Sequence, residues 1–481
     1  MKHVTIILGY EQKGFFLALG ALMSKSWKVR FVVEDKSVAS LVDTVLAEYS
    51  YELVEMPARR SRPTPTENTI SSAKRVESKY NSQLSFLMSQ DRALGYGYLV
   101  NVEKYPFVKR ANWSQHEKLQ NILDQFNVFE TILTGTDLLI SLFPQTIVTL
   151  ICESTQIPHF HLTDIKYGDR YFWSDDNYQG SQRYSKLVSE NLSVYSHTED
   201  IPETPYLVPA MGELRNRSVQ YSYLSALRRS VEILISETIN VVRQSRKENS
   251  YSAYSWLPST FRLVKNQRTL CDQGVSPNDL KDLKLVYFPL HLEPEVALLQ
   301  FAPEFNNTVE AIAWLSKSLP ADYVLIVKEQ ATAFAVRSKQ FYRRLASIPN
   351  VKLADPRIHS WDWINKAYFV ATMTGAVGQE AVHHEKPVIS FGAHQIINLL
   401  PTVFYATSYY DVKSAVSEIL SRNWDQQLKL SRIALHDAQI KCSFEMPDYK
   451  ASFTSLDLEF TSASIAKDAL LKDYSNCSKC D

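Results

Sequence analysis

The sequence has few cysteines, no long apolar run and no excess of charge of either sign. Its five cysteines among 481 residues are scattered, which argues against a disulfide framework. Cys477 and Cys480 form a C-x-x-C motif without a second pair, so we expect neither a metal site nor a redox site there. The formal net charge is zero, which argues against a general nucleic-acid-binding surface.

Segments that would target the chain to a membrane are also missing from the sequence pattern. The apolar part of the first residues covers only Val4–Leu8, which is too short for the core of a signal peptide. No run reaches the roughly 18 apolar residues that a membrane span needs. We therefore expect a cytoplasmic protein. Any membrane contact is expected to be peripheral, at the inner membrane, through the basic stretches Arg59–Arg62 and Arg215–Arg229.

The overall composition is that of a soluble globular protein with more than one domain. Apolar residues make up 45% and charged residues 22% of the chain, both ordinary values. A chain of this length predicts two domains of roughly 150–250 residues each. The 26 tyrosines and 22 phenylalanines suit a protein that stacks aromatic rings on sugars.

The first part of the chain has the pattern of an α/β domain, which we assign to residues 1–197. Val4–Leu8 and Val29–Val33 are predicted strands, and Phe15–Met23 between them is a predicted helix. The intervening turn is not G-x-G-x-x-G, so no dinucleotide fingerprint is present. Residues 66–130 have a mostly helical pattern. A strand–loop pattern is predicted again at 131–140 and at 147–176.

A second α/β unit, residues 276–420, follows a predicted helical connector at 198–275. Strands are predicted at 283–288, 323–329, 351–354 and 367–375, with helices at 306–318 and 335–346 between them. This alternation predicts a doubly wound parallel sheet, and two such units predict a ligand cleft between domains. Residues 421–481 are predicted to be helices and a tail.

Polar residues follow the predicted strands of the second unit. The first strand ends in a loop that holds His291, Glu293 and Glu295. The next strands end at Lys328–Gln330, at Asp355–Arg357 and at Thr374–Glu380. Because ligands of open α/β sheets bind at the carboxyl ends of the strands, we expect these groups to converge. The alternative for each residue alone is a solvated side chain in a turn.

The stretch "TGAVGQEA" (374–381) has the pattern of a phosphate-binding turn. Gly378 allows close approach of the backbone, and Gln379–Ala381 is the predicted start of a helix, where free N–H groups favour a phosphate. Glu380 is then expected in the first helical turn, where it would accept hydrogen bonds from ribose hydroxyls. The alternative is that Glu380 only complements the helix dipole.

Three stretches, in order and spacing, resemble the bacterial capsule and surface-polysaccharide glycosyltransferases that include the retaining β-Kdo transferases. They are "YFPLHLEPE", "VLIVKEQ…RSKQFYRRL…PNVKL" and "TMTGAVGQEAVHHEKPVISFG", which together cover roughly residues 283–395. A weaker match is "TDIKYGDRYFWSDD" at 163–176. The resemblance implies a GT-B fold, in which two Rossmann-like domains face each other across a cleft. It also implies a CMP-activated 2-keto sugar acid as donor.

The resemblance further implies that Glu295 is the nucleophile of a retaining transfer to a glycan or lipid-linked glycan acceptor. The family's His-Pro after the "VKE"-like strand is replaced here by Gln330 and Ala331, so the positive charge of that histidine is missing. Lys328, two residues before Gln330, would supply the missing positive charge. His291 would shuttle a proton or orient the carboxylate. Thr374, Gly375 and the helix start would stabilise the leaving phosphate.

Glu153, Asp164, Asp169 and Arg170 of the first domain are expected on the acceptor side. A carboxylate among them would be the base that activates the acceptor, and Arg170 would instead pair with a carboxylate. The alternative for each of the four is a salt bridge or a turn cap. No metal or other cofactor is implied, since "WSDD" (173–176) is not D-x-D. Two other functions fit the sequence: a nucleotide-sugar 2-epimerase of the same fold, and a non-catalytic subunit that binds sugar nucleotides.

Overall fold

The computed structural model describes most of the chain as helices, strands and short loops. The described residues are 1–9, 12–33, 36–56, 62–92, 94, 113–197, 221–242, 257–449 and 458–477. Most of the basic stretch Arg59–Arg62, residues 215–220 of the second basic stretch and Cys480 lie outside them. The chain divides into two compact units. Unit 1 comprises 1–88, 114–187 and 438–481, and unit 2 comprises 89–113 and 188–437.

Unit 1 contains a seven-stranded sheet in the order β13-β6-β5-β4-β1-β2-β3. Strands β1 to β5 are parallel, and β6 and β13 are antiparallel. The inner strands are apolar runs because helices cover both faces of a parallel sheet. The strands are β1 His3–Leu8, β2 Lys28–Val33, β3 Tyr51–Glu55, β4 Leu138–Ser141, β5 His159–Asp164, β6 Arg170–Ser174 and β13 Phe444–Glu445.

Helices connect and cover the strands of unit 1. Ser114 and Glu117 form a reciprocal capping box at the start of α5, which fixes where this helix begins. Gly20 lets α1 lie against β2, since an added Cβ would come within 2.2 Å of the Phe31 ring. The helices are α1 Lys13–Met23, α2 Lys36–Val45, α3 Thr69–Tyr80, α4 Leu84–Gln90, α5 Gln115–Leu133, α6 Thr146–Thr155 and α7 Gln182–Tyr195.

The end of the chain returns to unit 1. Its last helix, Phe460–Ser475 (α17 below), packs on α1 and on β6. The buried indole N–H of Trp173 donates to the carbonyl of Ala466 over 2.8 Å, and Trp27 contacts Tyr474 edge to face. The apolar core of unit 1 is therefore built from both ends of the chain.

Unit 2 contains a six-stranded parallel sheet in the order β12-β11-β10-β7-β8-β9. The chain forms β7, β8 and β9 in one direction and then crosses back to place β10 on the other side of β7. The point at which the strand order reverses therefore lies between β7 and β10. The strands are β7 Lys284–Pro289, β8 Tyr323–Lys328, β9 Val351–Leu353, β10 Ala367–Thr372, β11 Val388–Ser390 and β12 Val403–Tyr405.

The helices of unit 2 begin at recognisable caps. The side chains of Asn307, Ser338 and Ser408 accept hydrogen bonds from main-chain N–H groups in the first turns of α11, α12 and α15. The helices are α8 Tyr223–Val242, α9 Leu257–Gln273, α10 Val296–Leu299, α11 Thr308–Ser318, α12 Lys339–Ala346, α13 Ser360–Lys366, α14 Ala376–His383, α15 Tyr409–Ser421 and α16 Asp425–Cys442, whose last residues belong to unit 1. The final helix, α17 Phe460–Ser475, belongs to unit 1.

The predicted α/β class is confirmed, because unit 1 contains a mainly parallel sheet and unit 2 a wholly parallel one, each connected by helices. The strands predicted in unit 2 all form. Two local predictions are wrong: Thr146–Thr155 is a helix rather than part of a strand–loop pattern, and α14 begins at Ala376 rather than at Gln379. Within the described part of the chain, none of the helices combines the length and apolar character that crossing a bilayer requires.

Candidate functional site

The candidate site lies at the carboxyl ends of β7 and β10 in unit 2, where the strand order reverses. Ligands of doubly wound sheets bind at this position. The main-chain N–H of Thr374, after β10, donates to Nε2 of His291, after β7, over 3.3 Å. The Thr374 hydroxyl donates to the carbonyl of Ala297 over 2.9 Å. Two hydrogen bonds therefore join the segment after β7 that contains His291 and Ala297, the acidic loop, to Thr374 and Gly375 after β10, the glycine turn.

His291 is buried in this contact and is neutral near pH 7. Burial and the nearby positive charge of Arg337 lower the pKa of His291 to about 4. Because Nε2 accepts the Thr374 N–H, the ring proton resides on Nδ1. A histidine in this state holds the turn in place, and its Nε2 is already occupied.

Gly375 gives the turn its shape. Its φ of +93° lies in a region that side-chain-bearing residues rarely adopt, and an added Cβ would lie 3.3 Å from Cε1 of His291. The Gly375 N–H donates to the side-chain oxygen of Gln395 over 3.2 Å. Gly378, in the first turn of α14, packs on Ile397, whose Cδ1 would lie 2.5 Å from an added Cβ.

Glu293 and Glu295 occupy different environments although they are two residues apart. Glu293 is buried, accepts from the Thr308 hydroxyl over 3.1 Å and lies 3.5 Å from Nη2 of Arg337. Glu295 is exposed at the residue that precedes α10, and Ala297, which contacts Thr374, follows two residues later. The contacts of Glu293 hold the loop, whereas Glu295 is exposed.

A second polar group lies at the ends of β8, β9 and β10. Burial lowers the pKa of Lys328, and the carboxylates of Glu329, Asp355 and Glu380 oppose that effect. Glu380 accepts a hydrogen bond from the indole N–H of Trp361 over 3.2 Å. Because α14 begins at Ala376, Glu380 lies in the second helical turn rather than the first.

Gln330 is exposed just after β8. Its main-chain N–H donates to Glu329 over 2.9 Å, and its side chain makes no cap bond to the short 3₁₀ helix that follows, Ala331–Ala335. Gln330 is therefore accessible at the carboxyl edge, two residues after Lys328.

The predicted residues of unit 1 do not form one group. Asp164 ends β5 and accepts from the Lys166 main-chain N–H over 2.7 Å and from its ammonium over 3.2 Å. Glu153 is exposed near the end of α6, at the amino edge of the sheet, because a helix that follows a parallel strand runs back along it. Asp169 is exposed, and Arg170 pairs with Glu445 over 2.6 Å and donates to Ser443.

Sequence reasoning did not assign a role to several residues at the carboxyl edge. These are Arg337, Trp361, His359 and Gln395. Arg337 stands in the "RSKQFYRRL" stretch of the resemblance, but a lone buried arginine produces no periodic signal. Among the described residues, no three His, Cys, Asp or Glu side chains are grouped so that they could hold a metal ion.

A separate crevice of about 820 Å³ lies at the opposite, amino edge of the unit 2 sheet. Its lining includes Lys284, Lys386 and Trp424, at the start of β7, before β11 and before α16. It shares no residue with the carboxyl-edge site.

No protein-family model matches the sequence, and no curated protein sequence matches it either. Solved structures that resemble the chain include the KpsC β-Kdo 2,7-transferase of Thermosulfurimonas dismutans. It has 12% identity and a TM-score of 0.30, and the match covers 66% of this chain and 81% of that one. The UDP-GlcNAc 2-epimerase of Neisseria meningitidis has 12% identity and a TM-score of 0.28, covering 98% and 100%. That of Methanocaldococcus jannaschii has 11% identity and a TM-score of 0.29, covering 99% and 100%. Transferases and epimerases are both present, and likeness at this level does not separate the two functions.

Proposed function

We propose that the chain is a glycosyltransferase of bacterial surface-polysaccharide synthesis, for capsule or O-antigen, that transfers a CMP-activated ulosonic acid with retention of configuration. The donor would be CMP-Kdo or a related nonulosonic acid, and the acceptor a glycan or lipid-linked glycan. The observation that carries the proposal is the junction of the acidic loop after β7 with the glycine turn after β10. A nucleotide phosphate and an accessible carboxylate would meet at this point of a doubly wound sheet.

The two carboxylates of the loop divide their roles by environment. Glu293 is held by Thr308 and Arg337, so it is not free to attack a sugar. Glu295 is exposed, so its carboxylate would attack the anomeric carbon of the donor while the bond to the phosphate breaks and CMP leaves with the electron pair. An acceptor hydroxyl, losing its proton to a base, would then displace Glu295 and form the new glycosidic bond. Two displacements retain the configuration.

The leaving phosphate needs stabilisation of negative charge rather than a strong acid. Main-chain N–H groups at the start of α14, beyond Thr374 and Gly375, would contribute hydrogen bonds, and Lys328 would contribute charge. Gln330 would donate a neutral hydrogen bond where the similar family has histidine. Gly378 and Glu380 would place the helix and contact the ribose. The neutral state of His291 supports an orienting role for its ring rather than a proton shuttle.

The base that activates the acceptor is proposed from unit 1, with Asp164 favoured over Glu153. Asp164 ends a strand at the carboxyl edge of its sheet, where substrates bind, whereas Glu153 lies at the amino edge. The proposed location is the cytoplasm, with peripheral contact at the inner membrane where lipid-linked acceptors are found.

A nucleotide-sugar 2-epimerase is the second candidate, since two of the similar structures are epimerases and the loop carries two carboxylates. Incubation with CMP-Kdo and with UDP-GlcNAc, each with and without a glycan acceptor, separates the two functions. A transferase forms a glycosylated product only with acceptor, and an epimerase converts its substrate without one. The third possibility, a non-catalytic subunit that binds sugar nucleotides, predicts that calorimetric titration with CMP or UDP shows binding while neither sugar nucleotide is converted. Absence of binding to both nucleotides would indicate a scaffold without nucleotide recognition.

A further inference from the structure

Arg337 is the most deeply buried charged side chain near the candidate site, with 0% exposure. Its Nε lies 2.6 Å from a carboxylate oxygen of Glu329, which also accepts from the Tyr342 hydroxyl over 3.0 Å. Its guanidinium carbon lies 4.3 Å from the centre of the Phe341 ring, and its main-chain carbonyl accepts from the Asn266 amide over 2.8 Å. The side chain is therefore anchored in unit 2 by Glu329, directly after β8, and by Phe341 of α12, while Asn266 of α9 holds the main chain of Arg337.

The other end of the same guanidinium reaches the acidic loop. Nη2 donates to the main-chain carbonyl of His291 over 2.6 Å and lies 3.5 Å from Glu293. His291 is also the residue whose ring accepts the Thr374 N–H. The Arg337 guanidinium therefore connects Glu329, directly after β8, to the acidic loop, where His291 supports the glycine turn.

A purely structural ion cluster is the alternative to a role in the site. Burying a charge is costly unless it is paired and hydrogen-bonded, and an apolar cluster of the same volume is often as stable. The arrangement here places two carboxylates, Glu293 and Glu329, on one guanidinium. Its contact with the His291 carbonyl is directed at the loop rather than at the core.

We propose that Arg337 is a positioning residue of the donor site, which sets the orientation of the His291 ring and through it the loop that carries Glu295. Arg337 contacts neither sugar nor phosphate in this scheme. A lysine at the same place keeps the charge but not the planar fork, so it cannot hold Glu329 and the His291 carbonyl together. The proposal rests on the proposed function for its effect on turnover, but its structural part does not.

The test uses the full chain with Arg337→Lys and Glu293→Gln. Arg343→Lys, on the exposed side of α12, is the matched control. Nitrogen-15 NMR of the histidine rings at pH 7, with His291 assigned by His291→Gln, reports which ring nitrogen carries the proton. Thermal unfolding and steady-state kinetics with CMP-Kdo are measured on the same samples.

We expect wild type and the control to show the proton on Nδ1 of His291, and Arg337→Lys to lose that single tautomer. Its kcat should fall about 10- to 100-fold with little change in donor KM, since misplacement of a reacting group affects turnover first. Glu293→Gln leaves the Arg337–Glu329 pair in place and should also lose the single His291 tautomer and lower kcat. If Arg337→Lys does not fold, these two measurements on Glu293→Gln test the proposal. An unchanged tautomer and unchanged kcat in a folded variant of lower melting temperature would overturn the proposal. If the wild type transfers no sugar, the proposed function fails, while the ring measurement still tests Arg337.

Discussion

The main-chain N–H of Thr374 donates a hydrogen bond to Nε2 of His291, although the two residues are 83 positions apart in the chain. This bond spans the point at which the strand order of the second sheet reverses. It requires a neutral imidazole with its proton on Nδ1, and it requires a glycine beside it to avoid the ring. The chemistry of the candidate site therefore depends on a contact that only the topology of the sheet creates.

Replacing the exposed carboxylate of the loop should separate binding from turnover. In Glu295→Gln and Glu295→Ala we expect sugar transfer to be abolished and CMP affinity to stay within about threefold, because Glu295 is exposed and Glu293 holds the loop. Calorimetry and a transfer assay on the same preparations measure this. Glu310→Gln, an exposed position in the first turn of α11, serves as control and should keep full activity. Full activity in Glu295→Ala would remove this residue from the mechanism.

Adding one methyl group to the glycine turn should affect nucleotide binding and stability together. Gly375→Ala places a Cβ 3.3 Å from the His291 ring at a φ of +93°, so the free energy of unfolding should fall by about 1–3 kcal/mol. CMP affinity should fall at least tenfold as the turn shifts. Titration calorimetry and urea unfolding measure the two effects.

Gly135→Ala is the matched control for the glycine turn. Gly135 has a φ of +73° in unit 1, and no described atom lies within 4 Å of the Cβ that alanine would add. It should lose stability without losing CMP affinity. Equal CMP affinity in wild type and Gly375→Ala would show that the turn is not part of the nucleotide site.

The free energy of unfolding should decrease as the pH is lowered from about 6.5 to 4, because His291 is buried as the neutral ring. The unfolded chain takes up a proton as the pH drops below about 6.5, while the folded chain keeps His291 unprotonated down to its pKa of about 4. The stabilisation is therefore complete above pH 6.5 and is lost progressively below it, by about 1.4 kcal/mol per pH unit. His161, fully buried with a pKa of about 3, contributes with the same sign.

Urea unfolding of His291→Gln at pH 7, 6 and 5 measures this contribution. The variant should show a smaller slope of unfolding free energy against pH than the wild type, by about 1.4 kcal/mol per pH unit. His116→Gln, at an exposed position in α5, should keep the wild-type slope. A wild-type slope in His291→Gln would mean that His291 is protonated in the folded protein.

A histidine in place of Gln330 should be tolerated. Gln330 is exposed and its side chain caps no helix, so Gln330→His should change the free energy of unfolding by no more than about 0.5 kcal/mol. If Gln330 contacts the donor phosphate, CMP affinity should rise as the pH falls through about 6.5, where a histidine gains its charge. Gln426→His, exposed on α16, should show no such rise. Loss of folding in Gln330→His would instead make Gln330 a structural residue.

Regular alternation of apolar runs and helical segments made the two sheets predictable. Lys284–Pro289 and Ala367–Thr372 are mostly apolar runs between predicted helices, and this pattern is enough to predict them as buried parallel strands. Thr146–Thr155 was misread because a short apolar run fits a strand and a buried helix equally well. The return of α17 to unit 1 depends on contacts such as Trp173–Ala466, which no local pattern encodes.

The candidate site was predictable only as a set of strand ends. The sequence indicated that His291 and Thr374 both follow strands, but not that the two strands are neighbours or that the ring accepts the N–H. The separation of Glu293 from Glu295 into buried and exposed roles depends on Arg337, which is 44 residues from Glu293 in the chain. Long-range pairing of this kind is a property of the fold, and composition or periodicity does not reveal it.

The most direct test of the account is a search for the glycosyl-enzyme itself. The full chain is incubated with a panel of activated sugars, CMP-Kdo among them, without acceptor, then quenched, digested and analysed by mass spectrometry. The account predicts that the peptide containing Glu295 gains the mass of one sugar residue, and that the adduct is absent in Glu295→Gln and disappears when acceptor is added before quenching. Transfer activity with an unmodified Glu295, or an adduct on a different residue that persists in Glu295→Gln, would contradict it.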